Sequence, residues 1–244
     1  MKRFIVLLSL VALAACSSSS KGTDQAFFDQ VSAMSKQQVF DKANALVADK
    51  KWEEARKYYS FLSDSFPNDP LGRQAALKVA DTFFEEKGRD SLTEAQLRYK
   101  DFANRFPNDP RRPYALLMEG RCSFQQGRGP MRDLAPLHEA VTSFQQVVDM
   151  YPDSKYTAEA RKLLSSCKND LAEHEYEVAR YYTNVRAWVG ARQRLEYLLE
   201  NYPDTEAAKQ GRALLPEVEK HFAPPSPNPP AKVVPRLDDK AKSR

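Results

Sequence analysis

Large, small and polar positions recur along this chain in one pattern, repeated four times. Each copy closes on an aromatic residue followed by proline: Phe66-Pro67, Phe106-Pro107, Tyr151-Pro152 and Tyr202-Pro203. Fifteen residues before the prolines stand Trp52, Leu92, Leu137 and Trp188, and twelve before stand Ala55, Ala95, Ala140 and Ala191. Eight before come Tyr59, Tyr99, Phe144 and Leu195, and five before come Leu62, Phe102, Val147 and Leu198. Steps of three and four place all these positions on one face of an α-helix. The repeated alanine lets a second helix come close, and the large residues fill the groove on either side of it. Proline has no donor and disfavours helix in the residue before it, so it fixes where each copy ends.

Eight residues beyond the prolines the site is small again, at Ala75, Ala115, Ala160 and Gly211. Thirteen beyond, Ala80, Gly120 and Ser165 continue the rule and Pro216 breaks it. Unrelated amphipathic helices would not reproduce small and large sites together. The pattern therefore predicts an all-α fold, a tetratricopeptide-type α-α hairpin solenoid of about four to five repeats with a C-terminal capping helix. The proline spacings are 40, 45 and 51 residues, longer than the ~34 of the standard motif. Neither Gly nor Pro occurs from Ser154 to Arg186, which predicts one helix of ~30 residues, about 45 Å long. Gly127 to Pro136 (GRGPMRDLAP) is the longest break inside the domain.

The ends of the chain follow different rules. Lys2-Arg3 and the apolar or small run Phe4 to Ala15 form an export signal, too short for the ~20 residues of a membrane span. Leu13-Ala14-Ala15-Cys16 matches the lipobox of bacterial lipoproteins, which implies cleavage after residue 15 and acylation of Cys16. Several acyl chains, at ~0.8 kcal/mol per buried methylene, anchor a protein stably. Ser17 after the cysteine, rather than Asp, favours the outer membrane in the usual sorting pattern. Residues 16–34 are expected to be lipid anchor and flexible tether, 35–222 the repeat domain, and 223–244 a disordered Pro-rich tail. Loss of Lys2 and Arg3 with residues 1–15 lowers the formal charge from +4 to +2, too little to imply nucleic acid. Cys122 and Cys167 lie fifteen residues after their prolines, at equivalent places in neighbouring repeats. Helices pack about 8–10 Å apart while a disulfide needs Cα atoms within about 7 Å, so two buried thiols are expected.

No catalytic constellation is present in the sequence. His138, His174 and His221 are far apart, no metal-ligand spacing or nucleotide loop occurs, and no cofactor is implied. The pairs Glu53-Glu54 and Glu85-Glu86 read as solvated helix faces. Arg180, Arg186, Arg192 and Arg194 cluster around the final hairpin. They suit either a partner interface or pairing along the helix with Glu177 and Glu196.

Asn169 to Thr205 (NDLAEHEYEVARYYTNVRAWVGARQRLEYLLENYPDT) and Tyr99 to Cys122 (YKDFANRFPNDPRRPYALLMEGRC) resemble the BamD (ComL/YfiO-like) lipoproteins of the outer-membrane β-barrel assembly machine. Arg132-Asp133 is similar to that family's acid-base turn, and with the lipobox the resemblance covers residues 13 to 222. The 127–136 loop, Pro216 and the tail depart from it. The resemblance implies a non-enzymatic scaffold, lipid-anchored in the outer membrane and facing the periplasm. Its implied partners are the barrel-forming BamA-like subunit, other assembly lipoproteins and unfolded outer-membrane proteins. Arg186, Arg192, Arg194 and Tyr197 are the candidate partner-binding residues, and Arg194 matches an Arg of the family. Tyr58, Tyr59, Phe61 and Phe66 are aromatic candidates for substrate contact. A periplasmic repeat adaptor for cell-wall synthesis or for pilus or secretion assembly is the competing reading. Replacing Cys16 by Ala is expected to release the protein from membranes on cell fractionation. Persistence in the membrane pellet after a high-salt wash would remove the anchor.

Overall fold

The computed structural model describes residues 19–127 and 133–222, and every regular element among them is an α-helix. In order these are α1 (Ser19–Ser32), α2 (Lys36–Ala48), α3 (Trp52–Ser65), α4 (Pro70–Glu86), α5 (Arg89–Arg105), α6 (Arg112–Gly127), α7 (Ala135–Met150), α8 (Thr157–Asn184), α9 (Trp188–Asn201) and α10 (Glu206–Glu219). The tetratricopeptide-type hairpins of the sequence are α2–α3, α4–α5, α6–α7 and α8–α9, with α10 following. Two compact units divide at Cys167 and Lys168, inside α8. In the first, consecutive helices from α2 to α7 pack on one another, and in the second α9 packs on α10.

The returning helices α3, α5, α7 and α9 all stop one residue before their proline. Phe66, Phe106, Tyr151 and Tyr202 share one backbone conformation, with φ of −134°, −125°, −135° and −133° and ψ of 54°, 65°, 56° and 46°. Each donates its N–H to the carbonyl four residues back, on Leu62, Phe102, Val147 or Leu198, at 3.0–3.1 Å. The carbonyl of each then accepts the N–H of Asp69, Asp109, Ser154 or Thr205 at 3.0–3.2 Å. Those same residues open the next segment. Asp69 accepts from the Leu71 N–H at 2.8 Å, Asp109 from Arg111 at 2.9 Å, Ser154 from Tyr156 at 3.3 Å and Thr205 from Ala208 at 3.2 Å. Such a cap contributes ~1 kcal/mol.

The small and large sites meet as the pattern requires. Ala55, Ala95, Ala140 and Ala191 have no exposed surface, and neither do Tyr59, Tyr99, Phe144 and Leu195. Gly120 shows the fit directly, since a Cβ there would sit 2.6 Å from the Phe144 ring. Ser165 departs from the rule and is exposed. Helices α4 and α6 have a neighbour on each side, whereas α8 buries a narrower stripe at Ala160, Leu164, Cys167 and Leu171 that leaves Ser165 outside. Trp52 and Trp188 are half-buried where Leu92 and Leu137 are buried. Helix α10 runs through Pro216, whose side chain is exposed. Cys122 and Cys167 are buried and form no disulfide, and burial pushes the Cys122 thiol up to about 12.

The tether expected over residues 16–34 is helical from Ser19. Phe27, Val31 and Met34 form a helical stripe that packs on the first repeat, with Val31 buried and Phe27 edge-on to Tyr58 at 5.2 Å. The folded domain therefore begins before residue 35. This changes the aromatic candidates. Tyr59 is core, its hydroxyl donating to Asn44 Oδ1 at 2.6 Å, and Phe27 and Phe28 lie against Tyr58 and Phe61. Those side chains belong to packing, and of this cluster Phe28 is the exposed member. The signal segment, Cys16, Arg132 and the tail 223–244 lie outside the described residues. Asp133 accepts the Ala135 N–H at 2.9 Å and so opens α7.

Cations stitch successive turns in the first unit. Lys36 pairs with Asp69 beneath Phe66, Arg73 Nε lies 3.1 Å from Asp109 Oδ2, and Arg112 donates to the Tyr151 hydroxyl at 2.7 Å. Arg111 above all, with its backbone N–H and Arg73, holds the Asp109 carboxyl below the usual range. That contribution is present above the ordinary carboxylate pKa and lost as pH falls through the lowered value.

The tightest backbone approach is at Gly72, where a Cβ would lie 1.9 Å from the Phe66 carbonyl oxygen. Backbone cannot yield as a side-chain tip can, so Gly72→Ala is expected to cost about 3 kcal/mol in urea unfolding. Gly88→Ala meets only Ser91 Oγ at 3.4 Å and should change stability by a few tenths of a kcal/mol. Equal effects at the two sites would refute the close-turn geometry.

A candidate partner-binding face on the final hairpin

The final hairpin is built on the same small-and-large logic. Ala179, Ala191, Leu195 and Val218 form its core, with Tyr182, Leu214, Leu215 and Phe222 packed against them. The α8–α9 turn closes by hydrogen bonds from the Arg186 N–H to the Thr183 carbonyl (3.0 Å) and from the Ala187 N–H to the Tyr182 carbonyl (2.9 Å). Arg186 takes a left-handed backbone with φ 61°, as Lys50 does with φ 58° at the same distance before its proline. Arg186 is thus first a turn residue, with its side chain exposed.

The other candidates divide. Arg192 is committed to the fold: its guanidinium carbon lies 4.3 Å from the Phe222 ring centre, and Nε is 3.5 Å from Glu196. Arg180 pairs with Glu177 at 2.7 Å. Both of these are the along-helix pairs that the sequence offered. Arg194 does something else. Its Nη1 donates to Glu175 Oε2 at 3.0 Å and Oε1 at 3.4 Å, across from α9 to α8. The Glu175 side chain is 9 % exposed, so this carboxylate relies on Arg194 for its charge partner. The outward-pointing fork expected from the sequence is turned back onto the hairpin. Tyr197 remains 42 % exposed, its ring 6.2 Å from and edge-on to that of Tyr202. Burial, then the neighbouring Tyr197 hydroxyl and Glu175, push the Tyr202 phenol up to about 12.

What the charges do not supply, apolar side chains do. Tyr181, Val185 and Val189 are each more than half exposed, on the last turn of α8, the hairpin turn and the first turn of α9. None stood among the sequence candidates. A signal was there: fourteen residues before the proline the other copies carry Glu53, Thr93 and His138, all polar, and the fourth carries Val189. Elsewhere, a groove of about 520 Å³ is lined by Arg73, Asp69, Asp109 and Arg111, whose charges already pair with one another or with Lys36. Among the described residues no three His, Cys, Asp or Glu side chains gather to hold a metal ion.

Fold and surface together define a helical-repeat protein that carries an exposed apolar face on a rigidly packed hairpin. The chain belongs to the YfiO family, described as outer membrane lipoprotein, which matches residues 32–228. Membership associates it with the outer membrane. Proteins similar to it include the outer membrane protein assembly factor BamD of Haemophilus influenzae, 28% identical over 229 residues, covering 88% of this chain and 83% of that one. The protein of that name from Vibrio cholerae is 27% identical over 214 residues, covering 84% of each chain. The one from Neisseria gonorrhoeae is 26% identical over 226 residues, covering 88% and 83%.

The Arg194–Glu175 pair changes how Arg194 can be tested. Arg194→Ala leaves a desolvated carboxylate alone and is expected to cost roughly 1–3 kcal/mol of stability. The Glu175→Gln/Arg194→Gln double variant should lose less than the two single losses added together. Strict additivity in urea unfolding would show that the pair is not coupled.

Proposed function

We propose that this chain is a lipid-anchored, periplasm-facing scaffold in outer-membrane protein assembly. Cys16 carries the anchor. The final hairpin docks the periplasmic domains of the BamA-like barrel-forming subunit. Other assembly lipoproteins and unfolded outer-membrane proteins meet the remaining repeat surface. The role is adaptor rather than catalyst, and it uses no cofactor.

One observation carries the reading: Tyr181, Val185 and Val189 stand exposed together on a hairpin whose inner side is fully packed. Exposed apolar side chains on a rigid support are the material of interface cores, where aromatic residues concentrate the binding energy. Membership of an outer membrane lipoprotein family supports the compartment, and the assembly-factor name of the similar proteins supports the process. The cell-wall or pilus adaptor reading has no comparable support.

Val189→Glu and Tyr197→Ala alter this face without touching a buried pair. Each is expected to weaken binding to the purified periplasmic domains of the cognate barrel subunit at least tenfold, about 1.4 kcal/mol, with helicity unchanged. Undiminished affinity in both folded variants would reject the final hairpin as the docking site.

A further inference from the structure

The last described residues are held in place. The His221 ring stacks on Trp188, with centroids 3.6 Å apart and planes 8° from parallel. Phe222 lies against the Arg192 guanidinium at 4.3 Å. Trp188 and Arg192 belong to the first turns of α9, so the chain leaves the fold beside the α8–α9 turn. Val189 follows Trp188 directly and precedes Arg192 by three residues, ~4.5 Å along the helix. The departing segment therefore starts at the edge of the exposed face formed by Val189, Val185 and Tyr181.

The composition of that segment fits the face. Residues 223–230 read Ala-Pro-Pro-Ser-Pro-Asn-Pro-Pro, five prolines among eight residues and no charge. Every charged residue of the tail comes later, from Lys232 onward. Proline-rich chain favours the polyproline II form, which advances ~3.1 Å per residue, so eight residues reach ~25 Å. From Val189 across the turn to Tyr181 the face extends about two helical turns, ~11 Å. Such segments dock on aromatic and apolar surfaces at small entropic cost because they are already extended. A covalently attached ligand is moreover present at an effective concentration of about millimolar.

We infer that residues 223–230 lie across Tyr181, Val185 and Val189 as an intramolecular strap, which an incoming protein partner displaces. The displacement rests on the reading above, that this face receives the assembly partner; the strap itself does not. Covered in this way, the face is shielded until a surface of higher affinity competes for it. A strap that occupies the face most of the time lowers the partner's apparent affinity by the fraction left open.

The test compares the full chain in detergent with the chain ended after Phe222. A third form is full length with Pro224→Ser, Pro225→Ser, Pro227→Ser, Pro229→Ser and Pro230→Ser. Valine-methyl NMR is expected to show Val185 and Val189 shifted in the full chain relative to both variants, with the buried Val147 and Val218 unmoved. Both variants should bind the periplasmic domains of the barrel subunit three- to tenfold more tightly. Identical Val185 and Val189 resonances in all three forms overturn the strap. Shifted resonances with equal partner affinities overturn the displacement and leave the strap. Partner binding to none of the forms rejects the docking role, while the methyl spectra still decide the strap.

Discussion

The nitrogen of proline has no hydrogen to donate, and at Pro67, Pro107, Pro152 and Pro203 that missing donor ends a helix at the same point of each hairpin. The rest of the backbone follows. The aromatic residue before each proline closes the finished helix with its N–H and begins the turn with its carbonyl, and the Asp, Ser or Thr that accepts the chain there opens what comes next. One short motif thus satisfies donors that two helix ends would otherwise leave bare. With the exit point fixed, the alanines and glycines of one helix always meet the same large residues of its neighbour. The contact of Gly120 with Phe144 shows how little slack remains.

Charges perform a different task on this frame. Lys36, Arg73 and Arg112 each reach from the start of one repeat to the aromatic-proline turn of the next. Their gain over solvated cations is modest one by one, since such pairs are partly exposed. Acting at the same place in successive repeats, they oppose slippage of one hairpin along another. Arg194 and Glu175 do the equivalent within the final hairpin, and there the carboxylate is nearly enclosed.

Sequence periodicity carried most of this architecture because it is set by local rules: helix period, small against large, proline as terminator. Helices α2 to α10 fall where those rules put them. The misplacement of α1 was avoidable, since Phe27, Val31 and Met34 already show helical spacing; the polar run before them drew the boundary too late. Ser165 could not be read, because its exposure depends on how many neighbours α8 has rather than on its own repeat. The pairing of Arg194 with Glu175 joins residues nineteen apart on two helices, and along-helix charge rules cannot see it. Val189 was visible as the one apolar residue at a position polar in the other three copies, and it marks the exposed face.

That contrast separates what stabilises the final hairpin from what it offers outward. Ala191, Leu195 and Leu198 fix α9 from the inside, and none has exposed surface. Arg192 and Arg194 lie on the flanks and spend their charge on Phe222 and Glu175, so changing them disturbs the fold as well as any contact beyond it. Val185, Val189 and Tyr181 add little to the packing and keep over half of their surface in water. Leaving that much apolar surface open forgoes ~25 cal/mol for every Å² that stays wet. A fold gains nothing from that exposure. A docking surface gains all of it when a partner covers the face. Because the inner and outer sides of α9 are independent, the affinity of this face can be altered by substitution without melting the helix that presents it.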